Sequence, residues 1–486
     1  MCDAISFLRR GKRVDLRPAN PTQTVLDYLR LEEKSKGTKE GCNEGDCGAC
    51  TVALGRLKNR KLVYEPVNAC ILLVGQLHGS DLVTVDDLMQ DNILHPVQDA
   101  MVRHHASQCG FCTPGFVMSL FTLYHEHKTP TRQEIVDHIA GNLCRCTGYR
   151  PIVDAALEVC TGHPLDAWAK ADQQTYDALQ ALHKDEDVHI KICDGFLSIP
   201  STAKSLAQLT AQNPDATIVS GATDVGLWVT KQMRVLPKII HISHVRELHA
   251  IETKSGTLQI GAAATYGEAM HALSACDVDI GEVMRRIGSM QVRSSGTIGG
   301  NIANGSPIGD MPPLLIALGA TLRLRHGFDE RVMPLEEFFI AYGKQNRKPG
   351  ELVWRIDVPM LKPNEAFRAS KITKRFDQDI SAVMFALKVE RNDNRIHAAR
   401  LAMGGMAATP MRAPQTETAL TNIDLADEIS WSTAINALAL DYQPISDMRA
   451  SETYRMETAQ ALLHKALLEL AGETGTRVFG QRENAA

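Results

Sequence analysis

Apolar and polar residues alternate through residues 4–17 (AISFLRRGKRVDLR), which predicts a β-hairpin turning at RRGK, and the following QTVLDYLRLE has the spacing of a short helix packed on it. Residues 1–83 thus read as a small, strand-rich α+β domain. From 84 to 160 the apolar period becomes helical. TVDDLMQ opens with a cap, TPGFVMSLFTLYHEH carries a broad apolar face, and TRQEIVDHIAGNL starts with a capping box from Thr131 to Glu134. A helical bundle is expected there. Residues 161–190 are polar with few apolar anchors and read as a linker, in part helical. Over 191–365 short strands (ATIVSGATDVGLWV, PKIIHIS, TLQIGAAATY, ATLRLRHG) alternate with helices, and 366–486 adds a β-rich stretch and two helical ones. The fold class is multidomain α+β.

Length agrees with that division, because 486 residues exceed the roughly 250 to 300 at which single cores stop growing. A net charge of -5 with both signs mixed along the chain gives no electrostatic footprint for nucleic acid or an anionic membrane, so neither partner is expected. Nothing approaches about 18 uninterrupted apolar residues, and the start MCDAISFLRRGKRVDLR has no apolar run of signal-peptide length. The expectation is a soluble, cytoplasmic protein.

The twelve cysteines change the picture. Eight fall in two tight groups in a chain large enough to need no staples, which favours metal binding over disulfides. Cys2, Cys160, Cys193 and Cys276 are isolated and are read as small apolar residues. In EGCNEGDCGACTVALG, Cys42, Cys47 and Cys50 have the spacing C-x4-C-x2-C, and Cys70 follows after nineteen intervening residues. That is the plant-type pattern for a 2Fe-2S cluster, whereas zinc sites pair their ligands as two C-x2-4-C units. Gly41, Gly45 and Gly48 are expected to supply positive φ and to let bare backbone approach the sulfurs. The second group is QCGFCTPG, with Cys109 and Cys112, and NLCRCTGYRP, with Cys144 and Cys146. Pro114 and Pro151 suggest that both pairs precede helix N-termini, whose partial positive charge favours thiolates. Alone, this C-x2-C with C-x-C fits zinc or a cluster; its company favours a second cluster.

Two glycine-rich stretches remain, IVSGATDVG (218–226) and SSGTIGGNIANGSPIGD (294–310). No G-x-G-x-x-G follows a strand, so a Rossmann cradle is excluded, yet backbone donors of the second stretch can converge on a pyrophosphate; the alternative is a plain surface loop. No Ser-His-Asp or paired-carboxylate arrangement is found, and no catalytic residue is expected on this chain.

A plant-type cluster loop, then CGFC with CRCTGYRP, then a flavin-like segment resembles the molybdenum hydroxylase family, and within it the iron-sulfur/flavin subunit of its bacterial xanthine-oxidising branch. The resemblance covers essentially the whole chain. It implies a β-grasp ferredoxin-like domain (1–83), a helical 2Fe-2S domain (84–160), a vanillyl-alcohol-oxidase-like FAD domain (191–365) and an α+β flavoprotein C-terminal domain (366–486). It implies two 2Fe-2S clusters on the eight cysteines, and Gln108 facing the pterin. It further implies FAD held by Gly221, Thr223, Asp224, Gly226, Thr297, Gly300, Asn301, Asp310 and Lys371, with Leu352 and Ile287 beside it. Ala222 departs from the Gly, Asn or Ser usual at its place, and Ile287 from a flavin-stacking aromatic. Asp377, in RFDQD, matches the loop beside the nicotinamide site.

The implied activity is electron transfer from a molybdopterin centre in a large partner subunit, through both clusters to FAD and on to NAD+, as hypoxanthine becomes xanthine and xanthine becomes urate. The implied assembly is a heterotetramer or larger. Other readings are the equivalent subunit of a relative acting on aldehydes or N-heterocycles, a stand-alone flavin carrier, and a zinc-stabilised interaction protein.

Overall fold

The computed structural model describes residues 2–126, 128–182 and 186–478. The chain forms two compact units, Met1–Arg246 with Gly288–Gly296, and Glu247–Ile287 with Thr297–Ala486.

In the first unit the predicted hairpin is present: Ile5–Arg9 pairs antiparallel with Lys12–Leu16, Arg9 facing Lys12 across the turn. These strands continue into a five-stranded sheet through Asp81–Val83, Thr51–Lys58 and Lys61–Asn68, with Ile5–Arg9 parallel to Asp81–Val83. Thr24 accepts the N–H of Asp27 and so starts the helical stretch Val25–Glu32, whose Val25, Leu26 and Leu29 are buried against Phe7, Val52 and Leu54 of the sheet.

The predicted bundle is built from Pro96–Arg103, Thr113–Tyr124, Arg132–Ile139 and Arg150–Val159. Every residue from Gly115 to Tyr124 is buried, which is why that segment shows a broad apolar face rather than a stripe. Phe116, Leu120 and Phe121 at full burial each contribute about 1.5–3 kcal/mol. Thr131 and Glu134 form the expected capping box. The polar stretch after the bundle holds two helices, Ala167–Lys170 and Asp172–Leu182, and Leu179 is the one buried residue of the second. A four-stranded sheet follows, ordered Val188–Ile192, Gly195–Ile199, Lys238–His241, Thr217–Val219.

The second unit has a five-stranded antiparallel sheet, ordered Ile251–Lys254, Thr257–Gly261, Leu352–Pro359, Thr321–His326, Asp329–Pro334. Its other sheet runs Glu365–Ile372, Val383–Asn392, Arg395–Gly404, Met411–Arg412. Among the described residues three α-helices rather than two follow this sheet: Pro414–Leu420, Ser432–Asp441 and Glu452–Leu470. Pro414 falls at the first position of the extra helix, where its missing N–H does no harm. Leu463 and Leu467 of the last helix pack on Val383, Phe385 and Trp431. Among the described residues no helix is long and apolar enough to cross a membrane.

Candidate cofactor-binding sites

Cys42, Cys47 and Cys50 lie on an irregular loop leading into Thr51–Lys58, and Cys70 lies just after the partner strand Lys61–Asn68. Pairing of Thr51 with Asn68 fixes that closure and leaves the sulfurs of Cys50 and Cys70 3.2 Å apart. The N–H groups of Asp46 and Cys47 each donate to the Cys42 sulfur at 3.3 Å, and Cys42 N–H donates to the Cys47 sulfur at 3.3 Å. The Cys47 thiol, followed by these amides, holds the Cys42 thiol down to about 5. Amides aimed at thiolates, with four convergent sulfurs, are a donor set that fits an iron-sulfur cluster.

The glycines divide their labour. Gly45 and Gly48 have φ of +83° and +69°, as expected, but Gly41 is not in the left-handed region. Its part is close approach: a Cβ there would stand 2.6 Å from the Cys47 sulfur. A Cβ on Gly48 would meet the Gly141 carbonyl at 2.2 Å.

Cys112 caps Thr113–Tyr124, with Pro114 in its first turn, and Cys144 and Cys146 precede Arg150–Val159, with Pro151 in the same place. Each pair therefore lies at or near a positive helix end. Cys112 neighbours Cys144, and Cys109 neighbours Cys146. Burial works against the Cys144 thiolate, yet the Thr147 hydroxyl and local amides hold its thiol below the ordinary range. Gln108 is exposed beside this group. The two sets of cysteines are joined through backbone, since Leu143 N–H, adjacent to Cys144, donates to the Cys47 carbonyl at 3.0 Å. Beside that bond the buried Asn142 donates to the Gly48 carbonyl at 3.0 Å and accepts from Ser119 at 2.6 Å and Gln291 at 3.1 Å. Sequence reasoning missed Asn142 and Gln291, whose partners are far away along the chain. All twelve thiols are free.

The first glycine-rich stretch leaves the strand Thr217–Val219 and enters the helix Val225–Thr230. A Cβ on Gly221 would stand 1.8 Å from the Ser295 carbonyl, and Gly226 lies against Ile71, where a Cβ would meet the carbonyl at 2.6 Å. Thr223 is half-buried, and Asp224 is the residue before the helix. The departure at Ala222 has a backbone consequence, because its φ is +60°, a conformation that costs a non-glycine residue about 1–2 kcal/mol.

In the second stretch Thr297 caps Ile298–Asn304 by accepting the Gly300 N–H at 3.1 Å. Asn301 Oδ1 is buried without a partner among the described residues, the mark of a group awaiting a donor from a ligand. Asp310, just before Met311–Leu318, accepts from Lys371 Nζ at 2.5 Å and from Ser381 Oγ at 2.5 Å, so the structure brings two predicted residues together and adds a third. Lys371 also donates to Ser381 at 3.0 Å. Leu352 begins its strand and is buried, as is Ile287. Arg286, adjacent to Ile287, donates to the carbonyls of Phe376 and Lys371, both at 2.9 Å, and to the Thr373 hydroxyl at 3.0 Å, and its guanidinium lies 4.6 Å from the Phe376 ring centre. The segment carrying Asp377 is thus anchored rather than a freely solvated turn. Within the second unit the unmatched acceptor at Asn301 fits a ligand donor, while in the first the bareness of Gly221 lets it pack on the Ser295 carbonyl.

One cluster has the makeup of a metal site, and its ring nitrogens and carboxylate are joined by hydrogen bonds. His95 and His125 both direct Nε2 at Asp166, at 2.6 and 2.8 Å. Val97 N–H donates to His95 Nδ1 at 3.2 Å, so the proton of this imidazole is on Nε2 and occupies the position a metal would need. The trio ties the segment before Ala167–Lys170 to the bundle.

A chain with two four-cysteine loops and a glycine-rich dinucleotide segment has the parts of an iron-sulfur flavoprotein. Four family profiles match it in order: a 2Fe-2S iron-sulfur cluster binding domain (residues 9–74), a 2Fe-2S binding domain (84–157), the FAD binding domain in molybdopterin dehydrogenase (191–361) and the CO dehydrogenase flavoprotein C-terminal domain (368–470). The chain belongs to the molybdenum hydroxylase family, where it corresponds to the small subunit or N-terminal region. Curated relatives include xanthine dehydrogenase/oxidase of Rattus norvegicus, 33% identical over 466 residues, and xanthine dehydrogenase 1 of Arabidopsis thaliana, 31% identical over 488 residues. Each alignment covers 85% of this chain but only 35% and 36% of the relative, so the chain spans about a third of their length. Among solved structures, carbon monoxide dehydrogenase from Hydrogenophaga pseudoflava (TM-score 0.53, 24% identity) and quinoline 2-oxidoreductase from Pseudomonas putida 86 (TM-score 0.51, 24% identity) share the fold. They cover 55% and 56% of this chain and 94% and 95% of those chains.

Proposed function

We propose that this chain is the electron-transfer subunit of a xanthine dehydrogenase, carrying electrons from a molybdopterin centre in a larger partner, through two 2Fe-2S clusters, to FAD and then NAD+. The observation that carries the reading is the junction of the two cysteine sets, where the Leu143 N–H to Cys47 carbonyl bond leaves one short covalent and hydrogen-bonded route between them. Clusters exchange single electrons, and a flavin collects two and passes them on as a hydride. The chain's residues fit four tasks within that scheme. Cys42, Cys47, Cys50 and Cys70 hold one cluster, and Cys109, Cys112, Cys144 and Cys146 the other. Gly221, Thr223, Asp224 and Gly226, with Thr297, Gly300, Asn301 and Asp310, hold FAD. Lys371, fixed by Asp310 and Ser381, presents a buried ammonium toward the flavin, with Ile287 and Leu352 as its apolar neighbours. Asp377, on the segment anchored by Arg286, faces the acceptor. Several dominant roles are thereby positional, and substrate hydroxylation belongs to the partner. Heterotetrameric assembly with that partner completes the proposal.

The test is purification with native partners followed by metal, flavin and pterin analysis and assay with xanthine, an aldehyde and an N-heterocycle. Four irons and one FAD per copy of this chain, molybdenum only in the larger chain, and NAD+-linked oxidation of xanthine are expected. A colourless chain holding zinc would overturn the redox reading; turnover of the aldehyde or heterocycle in place of xanthine would overturn the substrate.

A further inference from the structure

The helix Val225–Thr230 is six residues long, yet it reaches from the first glycine-rich stretch to the Cys42–Cys50 loop. Gly226 at its start lies on the Ile71 backbone, one residue after Cys70, at a distance that leaves no room for a Cβ. Ile71 in turn fills the space beside Gly45, where its Cδ1 would be 2.6 Å from an added Cβ. Leu227 packs on the core that contains Cys50 and Cys70. At the other end Lys231 extends its ammonium to the ligand loop, donating to the Cys42 carbonyl at 2.6 Å and pairing with Glu44 at 3.4 Å. One short helix is therefore braced against both halves of the first cysteine set, and Lys231 at its end places a cation against the loop that carries three of the four sulfurs.

A cluster that accepts one electron gains one unit of negative charge, with no bond made or broken. A fixed cation nearby favours the reduced form, and it also compensates Glu44, whose carboxylate would otherwise favour the oxidised one. We propose that Lys231 is a positioning residue that steadies the Cys42–Cys47 loop and raises the reduction potential of the first cluster. The inference rests on the iron-sulfur reading above. The ammonium touches the loop carbonyl and not a sulfur, so it acts through the loop and through its field. Its side chain is 41% exposed, so the electrostatic part is screened by salt.

Dye-mediated redox titration of the complex purified with native partners, followed by visible absorbance and electron paramagnetic resonance, reads the effect on each cluster separately. Lys231→Arg should match the parent. Lys231→Gln keeps a donor for the Cys42 carbonyl but removes the charge, and should move one cluster's midpoint to more negative values. Lys231→Glu should move it further, the second cluster staying fixed, and both shifts should shrink at about 1 M salt. Loss of iron from the Glu variant with retention in the Arg variant would also support the steadying role. Midpoints unchanged in both Gln and Glu variants at full iron content would overturn this inference and leave the proposed function standing. A parent protein without iron would overturn the function itself.

Discussion

His138 shows what a single buried residue contributes to the dependence of this fold on pH. Its Nε2 donates to the Ser119 carbonyl at 2.9 Å with the Thr122 hydroxyl 3.0 Å away, Glu126 stands 3.5 Å from Nδ1, and Lys128 and Arg293 add positive field. Burial, ahead of every other influence, pushes its pKa down to about 4 from 6.5. The unfolded chain therefore takes up this proton first as pH falls, and stability that is complete above about 6.5 drains away as pH drops through about 4. Between pH 6.5 and 5 the loss is about 2 kcal/mol at the limiting slope of one proton. Thermal denaturation across that range should show His138→Gln losing less stability than the parent; equal slopes would contradict it. His138 is anonymous in the sequence because its burial depends on contacts nineteen residues away with Ser119. Gly45 and Gly48 were legible, since a ligand loop that turns sharply demands left-handed residues locally. The different duty of Gly41 was not, because it is set by where the Cys47 sulfur falls.

At the level of elements, capping residues were readable and cross-links were not. Thr131 with Glu134, and Pro114 and Pro151 in first turns, act within three or four residues, and their signals survive in the sequence. Asn142 acts across the chain, 94 residues from Gly48 and 149 from Gln291, joining the cluster loops to a segment at 288–296 that groups with the first unit although its neighbours on both sides belong to the second. Because it is buried, removing it leaves the Ser119 hydroxyl proton without its acceptor and takes one partner each from the Gly48 carbonyl, which keeps Thr51, and from Gln291, which keeps Thr51 and Ser119. Asn142→Ala is expected to destabilise the first unit by about 2–4 kcal/mol, above an ordinary surface substitution. A urea midpoint within about 0.5 kcal/mol of the parent would show that water replaces the side chain without loss. The Lys371, Asp310 and Ser381 group has the same character. Resemblance pointed to the first two, but Ser381 became visible only when the strands were paired.

For the molecule as a whole, both units have buried apolar cores, but the ligand region of the first is held differently from the rest. The second unit has a core in which Phe385, Trp431, Leu463 and Leu467 are buried between sheet and helices, so its order comes from apolar packing. Much of the first unit's ligand region is irregular: residues 34–50 carry no regular hydrogen-bonded structure, and 140–149 little. Such segments bury few apolar side chains, and backbone ordering costs about 1–2 kcal/mol per residue. Their conformation must be underwritten by ligation, as in other metal domains where binding energy is folding energy. Iron removal by a chelator under anaerobic, reducing conditions is therefore expected to lower the thermal transition of the first unit markedly while the second unit keeps its own. Calorimetry with far-ultraviolet circular dichroism resolves the two, and restoring iron and sulfide should return the lost transition. FAD should act in the complementary way, raising stability with the logarithm of its concentration above its dissociation constant. If the iron-free chain melted like the parent, the cysteine loops would be held by protein contacts alone, and the four sulfurs at Cys42, Cys47, Cys50 and Cys70 would have to be explained without a cluster.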